Sequence, residues 1–275
     1  MMLTIGLLGD EAGTVAERLQ DLDSNTRLII VETPTANEIS KCGFILRVGS
    51  RQGDFDPYAD VCIDNLLAVD DIWRDRILPF ALNIAAGKRA PRRQQPRLAD
   101  PDPSWPTQAT RLITRIKAAA VDLIERADHI GSTSVAGLPA KDLIDIQVVV
   151  ADLDTAAHVA EAVQAVGFVR VSGPLMCVDH EGQRHPEHVV VDADPGRPVN
   201  VNIRPINAPI WRETLIFRDW LRANPDAQSE YLALKRRLAE RPGHDVNDYG
   251  TDKIPWIAAA NERAERWAQH TAWTP

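Results

Sequence analysis

His129-Ile130-Gly131-Ser132-Thr133-Ser134-Val135-Ala136-Gly137-Leu138-Pro139-Ala140-Lys141-Asp142-Leu143-Ile144-Asp145-Ile146 is the stretch on which the fold turns. It reads as a short strand, a Gly-Ser loop and a second, strongly apolar strand running from Leu143 to Val150. Gly131 and Ser132 supply free backbone N–H groups and a hydroxyl, the elements of a small anion nest. Lys141 adds a point charge that suits phosphate. A strand carrying Asp145 then sets a carboxylate where a divalent metal would meet bound phosphates. His129, just before the loop, has two readings: contact with that phosphate, or a structural hydrogen bond.

Working outward, Pro106 to Arg126 has the spacing of an amphipathic helix, capped by Ser104 with Pro106 in its first turn. Beyond Val150 come a helix over Asp154 to Val166 and strand-like runs at Phe168 to Val171, His188 to Val191 and Val199 to Ile203. From Ile210 the pattern is helical, in three segments broken near Asn224-Pro225 and Pro242-Gly243. Residues 104–275 are thus predicted to be an α+β domain with a helical C-terminal tail. On that tail Arg218, Lys235, Arg236, Arg237 and Lys253 are cations; converging on Gly131-Ser132 they would complete a polyanion pocket, and singly each is a surface charge. Trp211, Trp220, Trp256 and Trp267 read as packing residues.

Upstream, Lys88-Arg89-Ala90-Pro91-Arg92-Arg93-Gln94-Gln95-Pro96-Arg97 has five cations, no acid and two prolines. Residues 88–103 therefore read as a solvated basic linker, with a phosphate grip as the competing reading. Residues 1–87 alternate strands (Leu3 to Gly9, Arg27 to Val31, Phe44 to Val48, Val61 to Ile63) with helices at Thr14 to Leu22 and Val69 to Ala86. That order predicts a small parallel α/β domain.

The 129–146 stretch closely resembles the signature of the GrpB family, whose fold is that of the nucleotidyltransferase superfamily. Asp102-Pro103-Ser104-Trp105-Pro106, Phe217-Arg218-Asp219-Trp220-Leu221-Arg222 with Asn224-Pro225, and Tyr231-Leu232-Ala233-Leu234-Lys235 extend the resemblance, as do Tyr249, Lys253 and Trp267. It implies a site in which Asp145, Ser132 and Lys141 carry any catalysis. Gly131, Ser132, His129, Lys141, Arg218, Lys235 and Lys253 would hold a nucleotide there. Nucleotidyltransferases hold magnesium with an Asp-x-Asp pair and a third carboxylate. Here the second position is Gln147, and the strand that would supply the third reads Val199-Asn200-Val201-Asn202-Ile203-Arg204. Asp145 is left as the magnesium ligand of a weak site. Asp192 and Asp194 share a face if their segment is a strand, but Pro195-Gly196 favours a turn. His180, His185 and His188, with Glu181 and Glu187, lack the spacing of a zinc protease and fit a hairpin tip.

The N-terminal segment resembles dephospho-CoA kinases at Ile5-Gly6-Leu7-Leu8-Gly9 with Thr14-Val15-Ala16, and again at Ala59-Asp60-Val61-Cys62-Ile63-Asp64-Asn65. That family ends its phosphate loop in Gly-Lys-Ser. The corresponding residues here are Asp10-Glu11-Ala12-Gly13, and the first lysine is Lys41. Two carboxylates would meet a triphosphate with no cation to offset them, at about 4 kcal/mol per pair of charges 4 Å apart and an effective dielectric near 20. The whole order resembles actinobacterial fusions of a dephospho-CoA kinase to a GrpB domain, with the kinase part truncated and its P-loop degenerate.

Three functions follow as expectations. The first is a GrpB-type domain that binds a nucleotide or other phosphate-bearing small molecule, as a weak nucleotidyltransferase. The second is a non-catalytic accessory module that meets a protein partner through the kinase-like segment. The third is a dephospho-CoA kinase of coenzyme A biosynthesis, phosphorylating a 3′-hydroxyl with ATP, against which the missing lysine counts. A net charge of -8 argues against a nucleic-acid partner. No apolar run suits a membrane span. The opening residues lack a signal-peptide pattern, and three widely spaced cysteines fit a reducing cytoplasm.

Overall fold

The computed structural model describes residues 1–25, 27–49 and 56–275. Its first layer is a parallel sheet of β1 (Leu3–Leu8), β2 (Leu28–Glu32), β3 (Phe44–Val48) and β4 (Val61–Ile63), in the order β2-β1-β3-β4. Around it lie α1 (Ala12–Leu22), the short α2 (Ala36–Ile39), α3 (Ala68–Ile72) and α4 (Leu78–Ala86). The predicted helix over Val69 to Ala86 is present, but Trp73–Ile77 between α3 and α4 is wound as a π-helix.

The second layer begins with α5 (Trp105–Ala119) and β5 (Arg126–Ile130). The helix expected to reach Arg126 therefore stops early. Asp122 turns the chain at φ 62°, and Arg126–Ile130 gains a full antiparallel ladder against β6 (Ile144–Val150), which an exposed last helical turn could not match. Then follow α6 (Leu153–Ala162), β7 (Phe168–Arg170), β8 (Leu175–Val178), β9 (Arg184–Asp192) and β10 (Val199–Pro205). The sheet order is β5-β6-β10-β9-β7, with β8 paired to β9. β6 and β10 are parallel and the other pairings antiparallel, so this sheet is mixed. The tail comprises four helices, not three: α7 (Ile210–Ala223), α8 (Pro225–Ala239), α9 (Val246–Thr251) and α10 (Ile254–His270). The extra break comes at Asp252-Lys253, where Pro255 opens α10 in a first turn that lacks partners for its N–H groups in any case.

Alternation along the strands divides the mixed sheet into two faces. Ile144, Ile146 and Val148 of β6, with Val199, Val201 and Ile203 of β10, pack with Trp105, Leu112 and Ile116 of α5 and Val159 of α6. The opposite face carries Asp145, Gln147, Asn200, Asn202, Val189 and Val191, matched across the strands by register. Val189 and Val191 share one apolar core with the first layer, including Val69, Trp73, Ile77 and Phe80. Gly167 permits that approach: at φ +99° it would set a Cβ 2.6 Å from the Phe80 ring. Arg76 donates to Asp194 at 2.8 and 2.6 Å, and Asn83 Nδ2 to the Ala193 carbonyl at 2.8 Å. Asp60 is buried against Arg111, at 3.1 Å, and Arg115, both on α5. The two layers are thus fastened by apolar packing and by buried charge pairs.

Candidate functional site

Asp145 is the carboxylate around which the site is built. It leans on Gly131 from one side and Asn200 from the other. Gly131, at φ 71° and ψ -173°, has a backbone conformation reserved almost wholly to glycine, and an added Cβ would lie 2.5 Å from Asp145 Oδ2. Asn200 Nδ2 donates to Asp145 Oδ1 at 3.2 Å. Burial holds the Asp145 carboxyl above its usual range, against the pull of that hydrogen bond and of the Lys141, Lys253 and Arg92 charges.

The tail brings lysines to this point. Tyr249 is buried, and the Lys141 and Lys253 ammonium groups lie 5.1 and 4.6 Å from its ring centroid. Lys235 is 1% exposed; its Nζ donates to the Pro139 carbonyl at 2.5 Å and sits 4.9 Å from the Tyr231 ring centroid. Ser132 is beside the Tyr231 hydroxyl, whose pKa burial pushes up to about 12. Burial and the Lys253 charge bring Lys235 down to about 7. Burial, then Lys141, brings Lys253 down to about 8, with Asp145 opposing. Lys141 and Lys253 therefore face the Asp145 carboxylate, with Lys235 crowded against Lys253.

Gly131, Ser132, Lys141, Asp145, Lys235 and Lys253 are brought together as a group. His129 and Arg218 are placed elsewhere. His129 pairs in register with Ile146, on the α5 side of the sheet, and its Nε2 is 2.9 Å from Thr133 Oγ1. Burial and the charges of Arg222 and Arg218 hold it down at about 4. Arg218 donates to the His129 carbonyl at 3.1 Å and to Asp219 at 2.8 Å. Both serve the loop's scaffold. The hairpin histidines are spent on ion pairs too, His180 with Glu213 and His185 with Asp179, each at 2.7 Å. Asp194 accepts from Gly196 N at 2.8 Å, as a turn residue does.

Magnesium was the metal expected at Asp145, and the donor set does not fit it. Gln147 is fully buried, accepting from Arg204 at 2.6 Å and donating to the Trp211 carbonyl at 3.0 Å. The Asn200 oxygen accepts from Arg92 Nη1 at 2.9 Å; since arginine can only donate, the amide is fixed with its NH2 toward Asp145. That leaves a single carboxylate, with the charges of Lys141, Lys253 and Arg92 about it and amides in place of further carboxylates at Gln147 and Asn200. No group of three or more His, Cys, Asp or Glu suited to a metal occurs among the described residues.

Arg92 is the residue that sequence reasoning missed. It pairs with the buried Asp192 and donates to the Val199 carbonyl at 2.7 Å. The basic segment is accordingly docked rather than solvated throughout. Ala90 N donates to the Asp192 carbonyl at 2.9 Å, Gln94 accepts from Val246 N at 2.8 Å, and Ala99 bridges Ala140. The sequence offered only Ala90 and Pro96, set among charges, and these are the two residues of the segment that the structure buries. A cleft of about 840 Å³ opens between this segment, Lys141, Asn200 and the start of α9. Asp145 is one hydrogen bond behind its Asn200 wall, and Gly131 and Ser132 are not on that wall.

A parallel α/β layer clasped to a mixed sheet, with lysines around one acidic residue at the sheet's end, defines the class of protein. The family profile described as GrpB protein matches residues 95–263, and the chain belongs to the GrpB family. It is 38% identical over 241 residues to a dephospho-CoA kinase of Mycolicibacterium paratuberculosis, covering 79% of this chain and 59% of that one. The chain thus spans about 59% of the length of that relative. A UPF0157 protein of Streptomyces coelicolor is 38% identical over 168 residues, 61% of this chain and 83% of its own. The crystal structure of conserved protein GrpB from Enterococcus faecalis superposes with a TM-score of 0.51 at 23% identity, covering 62% of this chain and 99% of that one, which shows the shared fold.

Proposed function

We propose that this protein binds a nucleotide or another phosphate-bearing small molecule through Lys141, Lys235 and Lys253, and that the first layer contributes structure rather than kinase chemistry. One observation carries the reading: Lys141 and Lys253 are held over the same Tyr249 ring with Asp145 as the acid that offsets them, and Lys235 adds a further charge beside Lys253 with no acid of its own. Cations partly removed from water without counter-charge are costly, and an anionic ligand relieves that cost. Lys141 reaches the ligand from the cleft wall, Lys253 neutralises it from the α10 start, and Lys235 holds the Pro139 carbonyl and with it the loop. Asp145 orders the lysines. In this reading the lysine charge takes the place of a divalent cation. Direct calorimetric titration with ATP, in magnesium and in EDTA, tests it. Binding in both, weakened tenfold or more by Lys253→Met (about 1.4 kcal/mol), is the expected result. No binding in either buffer overturns the proposal. Binding in magnesium alone, lost in Asp145→Asn, would return Asp145 to the role of metal ligand.

Relatives of the chain are named dephospho-CoA kinases, and the first layer does have the parallel sheet such a kinase needs. Its β1–α1 turn nevertheless presents Asp10 and Glu11 and no lysine. We therefore expect no heat-labile conversion of dephospho-CoA and ATP to coenzyme A by the purified protein; such conversion would assign the layer its relatives' activity.

A further inference from the structure

The basic segment before α5 forms one wall of the 840 Å³ cleft, through Arg89, Arg92, Arg93 and Arg97. Arg92 is engaged with Asp192 and Asn200. Arg89, Arg93 and Arg97 are exposed and have no ion-pair partner among the described residues. Among the described residues the cleft wall carries two acids, both already engaged within the protein. Asp142 pairs with Arg197 and accepts from Trp105 Nε1 at 2.9 Å. Asp245 caps α9, accepting from Asn247 N at 2.7 Å and Asp248 N at 2.9 Å. In a chain of net charge -8, this cleft therefore gathers uncompensated positive charge. Nor is the wall loose: Ala90, Arg92, Gln94 and Ala99 each tie it to the second layer. A single phosphate would fill a small part of such a space, which is of the size that holds whole nucleotides.

Resting on the phosphate-binding reading above, we propose that Arg89, Arg93 and Arg97 form the outer half of one extended anion site whose inner half is Lys141. The ligand class is then a compound with two or more linked phosphates. The inner phosphate meets Lys141 and the outer ones meet planar guanidinium forks, which bind phosphate oxygens in pairs. The segment acts as a fixed clamp, ordered before the ligand arrives, so little ordering entropy is lost on binding.

The test is calorimetric titration of the full chain, in EDTA, with inorganic phosphate and with tripolyphosphate. Parent protein is compared with the triple variant Arg89→Gln, Arg93→Gln, Arg97→Gln. These positions are exposed and the anchors Ala90, Arg92 and Pro96 are untouched, so the variant is expected to match the parent in circular dichroism and Tm. The parent should bind tripolyphosphate at least about tenfold tighter than phosphate, as one added charge-assisted contact implies. The variant should lose most of that preference while its phosphate Kd stays within about twofold. A parent with no preference, or a variant that keeps it, overturns the clamp and leaves the inner site standing. Failure of the parent to bind either anion overturns both.

Discussion

At the scale of single residues, Gly131 and the lysines make the sharpest demands. Gly131→Ala would force a Cβ into Asp145 and an unfavourable backbone region together. We expect a loss of about 1–3 kcal/mol by urea denaturation, with ATP binding abolished. The lysines predict a pH dependence. Lys235 and Lys253 sit at about 7 and about 8 in the folded chain, below an ordinary lysine. Between those values and about 10 the unfolded chain holds protons that the folded one has shed. Their contribution to stability therefore rises as pH rises through that window. A bound anion returns the protons, so affinity should tighten as pH falls from 9 to 7. At pH 8 the binding enthalpy should depend on the buffer's ionisation heat, and Lys253→Met should reduce that dependence. A buffer-independent enthalpy would show that these lysines do not titrate on binding. The sequence made the group around Ser132, Lys141 and Asp145 legible because loop glycine, cation and carboxylate lie within one short run. It could not exclude His129, since one residue's shift along a strand decides which face a side chain occupies.

At the scale of elements, the informative piece is the docked basic segment. Its charge pattern looked like solvated chain, but pattern alone does not reveal a buried acid waiting for a partner. Asp192 is that partner, 100 residues away in sequence. Arg92→Met should cost about 3 kcal/mol, because it leaves a buried carboxylate uncompensated, and adding Asp192→Asn should recover part of the loss. A loss below about 1 kcal/mol in thermal or urea unfolding would show the segment to be loosely held. Gln147 teaches the same lesson on β6. The Asp-x-Asp pattern suggests that Gln147→Asp would restore a metal site, whereas Arg204 and the Trp211 carbonyl already claim its side chain. The aspartate is expected to pair with Arg204, and manganese affinity followed by electron paramagnetic resonance should not rise.

At the scale of the whole molecule, the two layers are interdependent. The order of strands and helices announced a parallel layer and a mixed one, yet each layer's pattern says only that it has an apolar face, not that the faces meet. Val189 and Val191 read as an ordinary half-buried strand until Phe80 and Ile77 are seen in the same core. Residues 88–275 expressed alone should therefore bind a hydrophobic dye and unfold with a broadened transition, and Val189→Thr with Val191→Thr should reduce the dye signal. A sharp, dye-free transition of the fragment would show the layers to be independent.

The shared core also sets a clock. The first layer leaves the ribosome with Val69, Trp73, Ile77 and Phe80 ready to pack, but Val189 and Val191 follow roughly 100 residues later. At about 5–20 residues per second that is a wait of about 5–20 s. For that interval the nascent chain must shelter the face from other chains, and slowing synthesis between residues 90 and 190 lengthens its exposure in proportion. Yield of this protein should depend on the pace of that middle stretch more than on the codons at either end.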